Sequence, residues 1–322
     1  MTTISKGQRE VNKEQYLEKY PNKMTKIYYK RVFDFALELE DEYNKDLFQF
    51  DLEQIKNVLM KFKTSGQAIE VYGRVISSYI KWAMETNLHT GTNPLENVGV
   101  AWFREIGIEP SSLYFSKHRI ETIENDCVNA QDAIIIRLLF EGIEGKEAIE
   151  IRELKKDDIL EDESCLNIGG NKIRVEEKTI NLAIKAAKQK VYRKKNGSME
   201  HRENINDYNE LTDNKFIIRS SITQLRSFDE CVNKAVIYRR LKMLSEVLGV
   251  ENLSTKNLTR SGQIYMAMKI MQSKGQYTLT NDDYKRIALR FDINNFYSIK
   301  KYCTVESVKE IYGDFLEQGE VQ

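Results

Sequence analysis

Proline occurs only three times in this 322-residue chain, at positions 21, 94 and 110, and that scarcity constrains the fold more than any other feature. Proline removes a backbone donor and clashes with the preceding turn, so long proline-free stretches leave helices uninterrupted. The stretches between are rich in Lys, Glu and Leu, which lose little rotamer freedom in a helix. A mostly α protein with a small β-sheet is expected, and 322 residues suffice for two domains of roughly 100–200 residues each.

Apolar spacing places the elements. Residues 1–20 are polar and are expected to be an N-terminal arm, frayed or briefly helical. A helix is predicted over 23–43, with Thr25 as its cap and Ile27, Phe33, Phe35, Leu37 and Leu39 near one stripe. A second follows the Asp51 cap with Ile55, Val58, Leu59 and Phe62 inward. After the polar break Lys63-Thr64-Ser65-Gly66, a long helix starts at Gln67, with Val71, Val75, Ile76, Tyr79, Ile80 and Trp82 inward, and Asn93-Pro94-Leu95 stops it. These helices form a first domain over 21–105.

The second domain is expected over 111–322. It opens with helices at 116–125 and 130–141, the latter strongly apolar and broken by Gly142, then a short one at 146–153. Cys165–Ile168 and Lys172–Val175 flank Gly169-Gly170-Asn171 and read as a hairpin. Further helices are predicted at 181–191, 227–248, 259–273, 280–290 and 305–315.

Several function classes are disfavoured. Met1 to Glu18 has no apolar core of a signal peptide, and no apolar run approaches the roughly 18–20 residues that span a bilayer. A cytoplasmic protein with no membrane partner is expected. Cys127, Cys165, Cys231 and Cys303 form no CxxC, and only His89, His118 and His201 stand beside them. Buried reduced thiols are expected, with no metal and no cofactor. Forty-nine basic and 49 acidic residues balance, so a nucleic-acid binder would have to segregate its positive charge onto one face.

Four features in order resemble the tyrosine recombinases (phage integrases). They are Tyr79-Ile80-Lys81-Trp82 followed by Asn93-Pro94-Leu95; Leu138-Leu139-Phe140-Glu141-Gly142-Ile143, then Asp158-Ile159 before a hairpin; Leu258-Thr259-Arg260-Ser261-Gly262; and Tyr297 or Tyr302 before a last helix. The resemblance covers residues 20–316. It implies a two-domain fold, a helical core-binding domain and an α+β catalytic-type domain, closing as a clamp around duplex DNA. Phosphate-facing cations would then lie among Lys61, Lys63, Arg74 and Lys81, with the helix start at Ser65 offering free N–H groups. In the second domain the candidates are Lys172, Arg193, Lys194, Lys195, Arg219, Arg226, Arg239, Arg240, Lys256 and Arg260.

The resemblance also implies a tyrosine nucleophile and two arginines, a lysine and two histidines (the last sometimes tryptophan) around the scissile phosphate. Paired guanidinium forks suit the charge spread over non-bridging oxygens. Glu144 stands where the first arginine is expected, and no His or Trp follows His201. Lys172 can fill the lysine position. Lys256 or Asn257 replaces a histidine, and either Arg260 or Thr259 occupies the second arginine position. Tyr302, Arg260 and Lys172 are thus vestigial candidates for catalysis. Losing several groups that act together should nearly abolish such a site.

The expected function is sequence-specific binding of double-stranded DNA on an inactive recombinase scaffold. The chain is similar in overall character to the recombinase-like lysogeny repressors of SPbeta-type Bacillus phages, which implies a phage transcriptional repressor maintaining lysogeny. Self-association through the helix at 305–315 and a protein or peptide antagonist are the further partners this implies. Two alternatives stand beside it: an active recombinase with Tyr302 as nucleophile and Lys146 and Lys256 as replacements, and a protein-binding module, which zero net charge favours.

Overall fold

A computed structural model of the chain describes residues 4–108, 110–198, 206–222 and 230–316. It divides into two compact units, residues 1–109 and 110–322.

Among the described residues, the first unit holds five α-helices: α1 (Lys6–Glu18), α2 (Lys23–Tyr43), α3 (Leu52–Met60), α4 (Gly66–Glu85) and α5 (Val100–Ile106). Helix α1 is docked rather than free. Its stripe at Arg9, Asn12, Lys13 and Tyr16 is buried, and the polar members meet carboxylates: Lys13 pairs with Glu40, Arg9 with Asp41 at 2.8 Å, and Asn12 donates to Asp46 at 3.1 Å. Residue pattern alone misses this, because the stripe is polar. Asn22, not Thr25, caps α2, accepting from the Met24 and Thr25 N–H groups. Asp51 caps α3 as expected, with Gln54 completing a capping box. Ile27 and Val71, expected inward, are exposed. Helix α5 was not anticipated. It lies so close to the start of α4 that a Cβ on Gly107 would sit 2.2 Å from the Gly66 nitrogen.

The second unit is organised by α8 (Ala130–Phe140), whose residues from Gln131 to Phe140 are all buried. Around it pack α7 (Lys117–Asp126), α10 (Glu177–Lys188), α11 (Lys234–Leu248) and α12 (Thr255–Lys274). The remaining helices are α6 (Pro110–Leu113), α9 (Ile149–Glu153), α13 (Asn281–Arg290) and α14 (Val305–Tyr312). A three-stranded antiparallel sheet runs β1 (Ile159–Leu160), β2 (Cys165–Ile168), β3 (Asn171–Arg174). Asn171 pairs with Ile168, so the hairpin turn is the pair Gly169-Gly170, both at positive φ (+56° and +88°), as a two-residue connection of this hand requires.

Several boundaries move. Helix α10 begins at Glu177 instead of 181, and residues 191–193 form β4, paired with β5 (Tyr208–Glu210) in a second sheet that was not foreseen. Helix α11 starts at Lys234 after the Asn233 cap; residues 227–229 of the expected helix lie outside the described residues. Helix α12 starts four residues early, capped by Ser254. It crosses α8 so closely that a Cβ on Gly262 would lie 1.7 Å from the Phe140 carbonyl oxygen. Helix α14 packs on its own unit: Val308 is buried, and the Tyr312 hydroxyl accepts from the Lys117 N–H at 3.2 Å. Of the four cysteines only Cys303 is buried; the others are half-buried. Among the described residues no helix is long and apolar enough to cross a membrane.

Candidate nucleic-acid interface

The turn after α8 and the first turns of α12 come together, as the resemblance requires, but with different chemistry. Gly142, at φ +83°, turns the chain beneath Phe291, where a Cβ would meet the ring at 2.8 Å. Glu144 follows. Its N–H donates to Glu150 Oε2 at 2.9 Å, and its own Oε2 accepts from the Thr259 hydroxyl at 2.9 Å. Thr259, not Arg260, is thus the α12 residue that meets this turn. Glu141 lies nearby; burial pushes its carboxyl above the usual range. Burial likewise raises Glu150. Arg290 stands 3.5 Å from Glu141, and burial lowers its pKa.

Arg260 turns to another group of residues. Its Nη1 donates to the Tyr114 hydroxyl at 3.2 Å, and its guanidinium lies 4.1 Å from the centre of the Tyr302 ring. The Tyr302 hydroxyl donates to the Gln263 side-chain oxygen. Burial pushes the Tyr302 phenol well above its ordinary pKa, and the opposing influence of Arg260 is the smaller one. Lys256, one turn before Arg260, has its pKa lowered by desolvation and then by the Arg260 charge. Gln263 sits three residues from Arg260 on one helix, a spacing that could have been read. Tyr114 is 146 residues away and carried no signal.

The other expected contacts divide into exposed and structural groups. Two are corrections. Arg219 is buried and donates to the carbonyl oxygens of Thr212, Ala186, Ala187 and Gln189. Arg240 is buried too, bonded to Gln131 Oε1 at 3.0 Å and the Arg219 carbonyl at 2.9 Å. Both guanidiniums tie the unit together. Arg226 and His201 lie outside the described residues.

In the first unit, Lys81 and Lys63 are exposed. Lys61 pairs with Glu38 at 2.7 Å and Arg74 with Glu70. The Ser65 side chain makes no cap hydrogen bond, and the α4 start it precedes is partly covered by α5. In the second unit, Lys172 pairs with Glu163 at 2.7 Å on the hairpin and Arg193 with Asp207 at 2.7 Å. Lys194 donates to the Asn206 carbonyl at 2.6 Å. Lys195 and Arg239 are exposed.

A buried charge network lies behind the turn. Arg137, fully buried, reaches Glu124 at 2.6 Å and Glu176 at 3.2 Å, and Lys178 meets Glu124 at 3.1 Å.

Comparison with known proteins matches residues 8–85 to the family described as MrpR, N-terminal core-binding domain, and residues 114–313 to MrpR, C-terminal catalytic domain. The SPbeta prophage-derived uncharacterized protein YopR of Bacillus subtilis (strain 168) is 26% identical over 320 residues, covering 94% of this chain and 96% of that one. Among solved structures, XerA recombinase superposes with TM-score 0.40 at 14% identity, covering 98% of both chains. A lambda integrase dimer bound to a COC′ core site gives 0.46 at 11% identity, covering 92% of this chain and 77% of that one.

Proposed function

The chain belongs to the MrpR family of tyrosine recombinase-like proteins, and we propose that it binds specific double-stranded DNA sequences without strand transfer, as a transcriptional repressor that maintains phage lysogeny. The observation that carries this reading is the hydrogen bond between Thr259 and Glu144. Glu144 stands where the resemblance puts the first arginine, and Thr259 is one of the two positions it allows for the second; the two residues satisfy each other, and one of them is a carboxylate. A carboxylate there repels the phosphate that an arginine would hold. The prophage origin of YopR supports the lysogeny setting.

A divergent recombinase remains the second reading, favoured by Arg260 over the Tyr302 ring. A cation there stabilises a phenolate, yet burial shifts Tyr302 the other way and dominates, which weakens that reading.

The test is enrichment of sheared source-genome DNA on the purified protein across a salt series, followed by denaturing electrophoresis for a covalent protein–DNA adduct. Enriched fragments sharing a motif near promoters, a steep salt slope and no adduct support the repressor. An adduct lost in Tyr302→Phe establishes the recombinase instead. No enrichment at any salt leaves a protein-binding module.

A further inference from the structure

The second unit carries a cavity of about 520 Å³ between the β4–β5 sheet and helix α11, inside the range of small-molecule sites. Its lining includes Lys194, Lys195, Arg239 and Arg240, and no carboxylate lines it among the described residues. Arg240 is paired with Asp132 at 3.7 Å, so in a chain with equal numbers of acids and bases the local excess of positive charge comes from the other three, Lys194, Lys195 and Arg239. Low-dielectric walls focus such a field onto whatever enters.

One wall is preorganised. Arg240 is more than nine-tenths buried and stands with its guanidinium 4.5 Å from the Tyr192 ring centre. The Tyr192 hydroxyl is in turn anchored to Asp132 at 2.9 Å. Tyr192 and Met243 also line the cavity, so an aromatic face and an apolar side chain accompany the cations. Cations beside an aromatic face suit an anionic head on a flat, largely apolar body.

We propose that this cavity binds a small phosphomonoester with a planar body, of the size of a mononucleotide. Lys195 and Arg239 are exposed at its rim, where they meet the phosphate, while Tyr192 meets the planar body. Resting on the DNA-binding reading above, which counts Lys194, Lys195 and Arg239 among the DNA contacts, occupancy of the cavity competes with DNA. The ligand then acts as an inducer.

Titration calorimetry of the full chain with adenosine monophosphate, adenosine and inorganic phosphate tests the site. The expected result is binding of the monophosphate at least tenfold tighter than either fragment, and a loss of tenfold or more in the Lys195→Glu/Arg239→Glu double variant. Both residues are exposed, and an unchanged melting temperature certifies the variant's fold. Absence of monophosphate binding, or equal binding by the variant, overturns the proposal. Binding that leaves DNA affinity untouched overturns the competition alone. Ligand binding by a protein that enriches no DNA overturns the repressor reading and leaves the cavity assignment standing.

Discussion

The Thr259 hydroxyl donates a 2.9 Å hydrogen bond to Oε2 of Glu144, joining the first turns of α12 to the turn that follows α8. An amide oxygen can also accept that bond, more weakly than a carboxylate does. Glu144→Gln therefore keeps the geometry and removes one negative charge from the face that the proposed function turns to DNA. DNA affinity is expected to rise by about two- to fivefold at low salt, within the ~1 kcal/mol scale of a partly exposed charge, with the gain shrinking as salt rises. Fluorescence anisotropy across a salt series measures it, and weaker binding by the variant would contradict the assignment.

Tyr302→Phe separates packing from chemistry. The ring stays beneath Arg260, and the bond to Gln263 is lost. A stability loss of about 1 kcal/mol is expected in urea titration, with DNA affinity within about twofold of the parent on the scale of a neutral change. A tenfold fall in binding would show that the hydroxyl itself contacts DNA.

Arg137→Ala leaves Glu124 buried without its principal cation, although Lys178 remains near. Stranding one member of a buried pair costs about 3–5 kcal/mol. The second unit's thermal transition should fall sharply while the first unit's is retained, which calorimetry resolves.

Gly262→Ala forces a methyl group into the Phe140 carbonyl oxygen. Separating α12 from α8 is the only relief, so the loss should reach or exceed the roughly 3 kcal/mol upper end of ordinary overpacking. A variant that melts normally would place the helices farther apart than described.

Asp46 links the first unit to pH. Burial, and next the neighbouring Glu40 charge, push its carboxyl up to about 6 from an ordinary 3.8. A raised acid means that the folded state holds the proton more tightly than the unfolded one. Its stabilising contribution is therefore present below pH 3.8 and is lost as pH rises to about 6. The loss is on the order of 3 kcal/mol at most. Asp46→Asn should flatten this part of the stability–pH curve, read by denaturant titration at pH 4, 5 and 7.

Local chemistry was readable where it acts over one turn. The Asp51 cap, the uniform apolarity of α8 and the paired glycines of the hairpin each reveal an element from adjacent residues. Helix α1 and strands β4 and β5 were not readable in this way. The α1 stripe is polar because its partners are carboxylates from α2 and beyond, and β4 meets β5 without a short connecting turn. Charge was the poorest guide. Arg219 and Arg240 look like surface cations in the sequence, yet carbonyl oxygens and Gln131 hold them inside.

The sequence by itself determined a helical two-domain chain resembling the recombinases, because helix propensity, capping and apolar period are local properties. The glutamate at position 144 and the lack of a histidine after position 201 can likewise be read directly. Only the tertiary structure decided that Thr259 meets Glu144 while Arg260 lies over Tyr302. These are contacts between residues 115 and 42 positions apart in sequence. Adjacent positions on a helix point about 100° apart, so a one-residue ambiguity in sequence becomes a choice between two sides of α12, and only packing makes that choice.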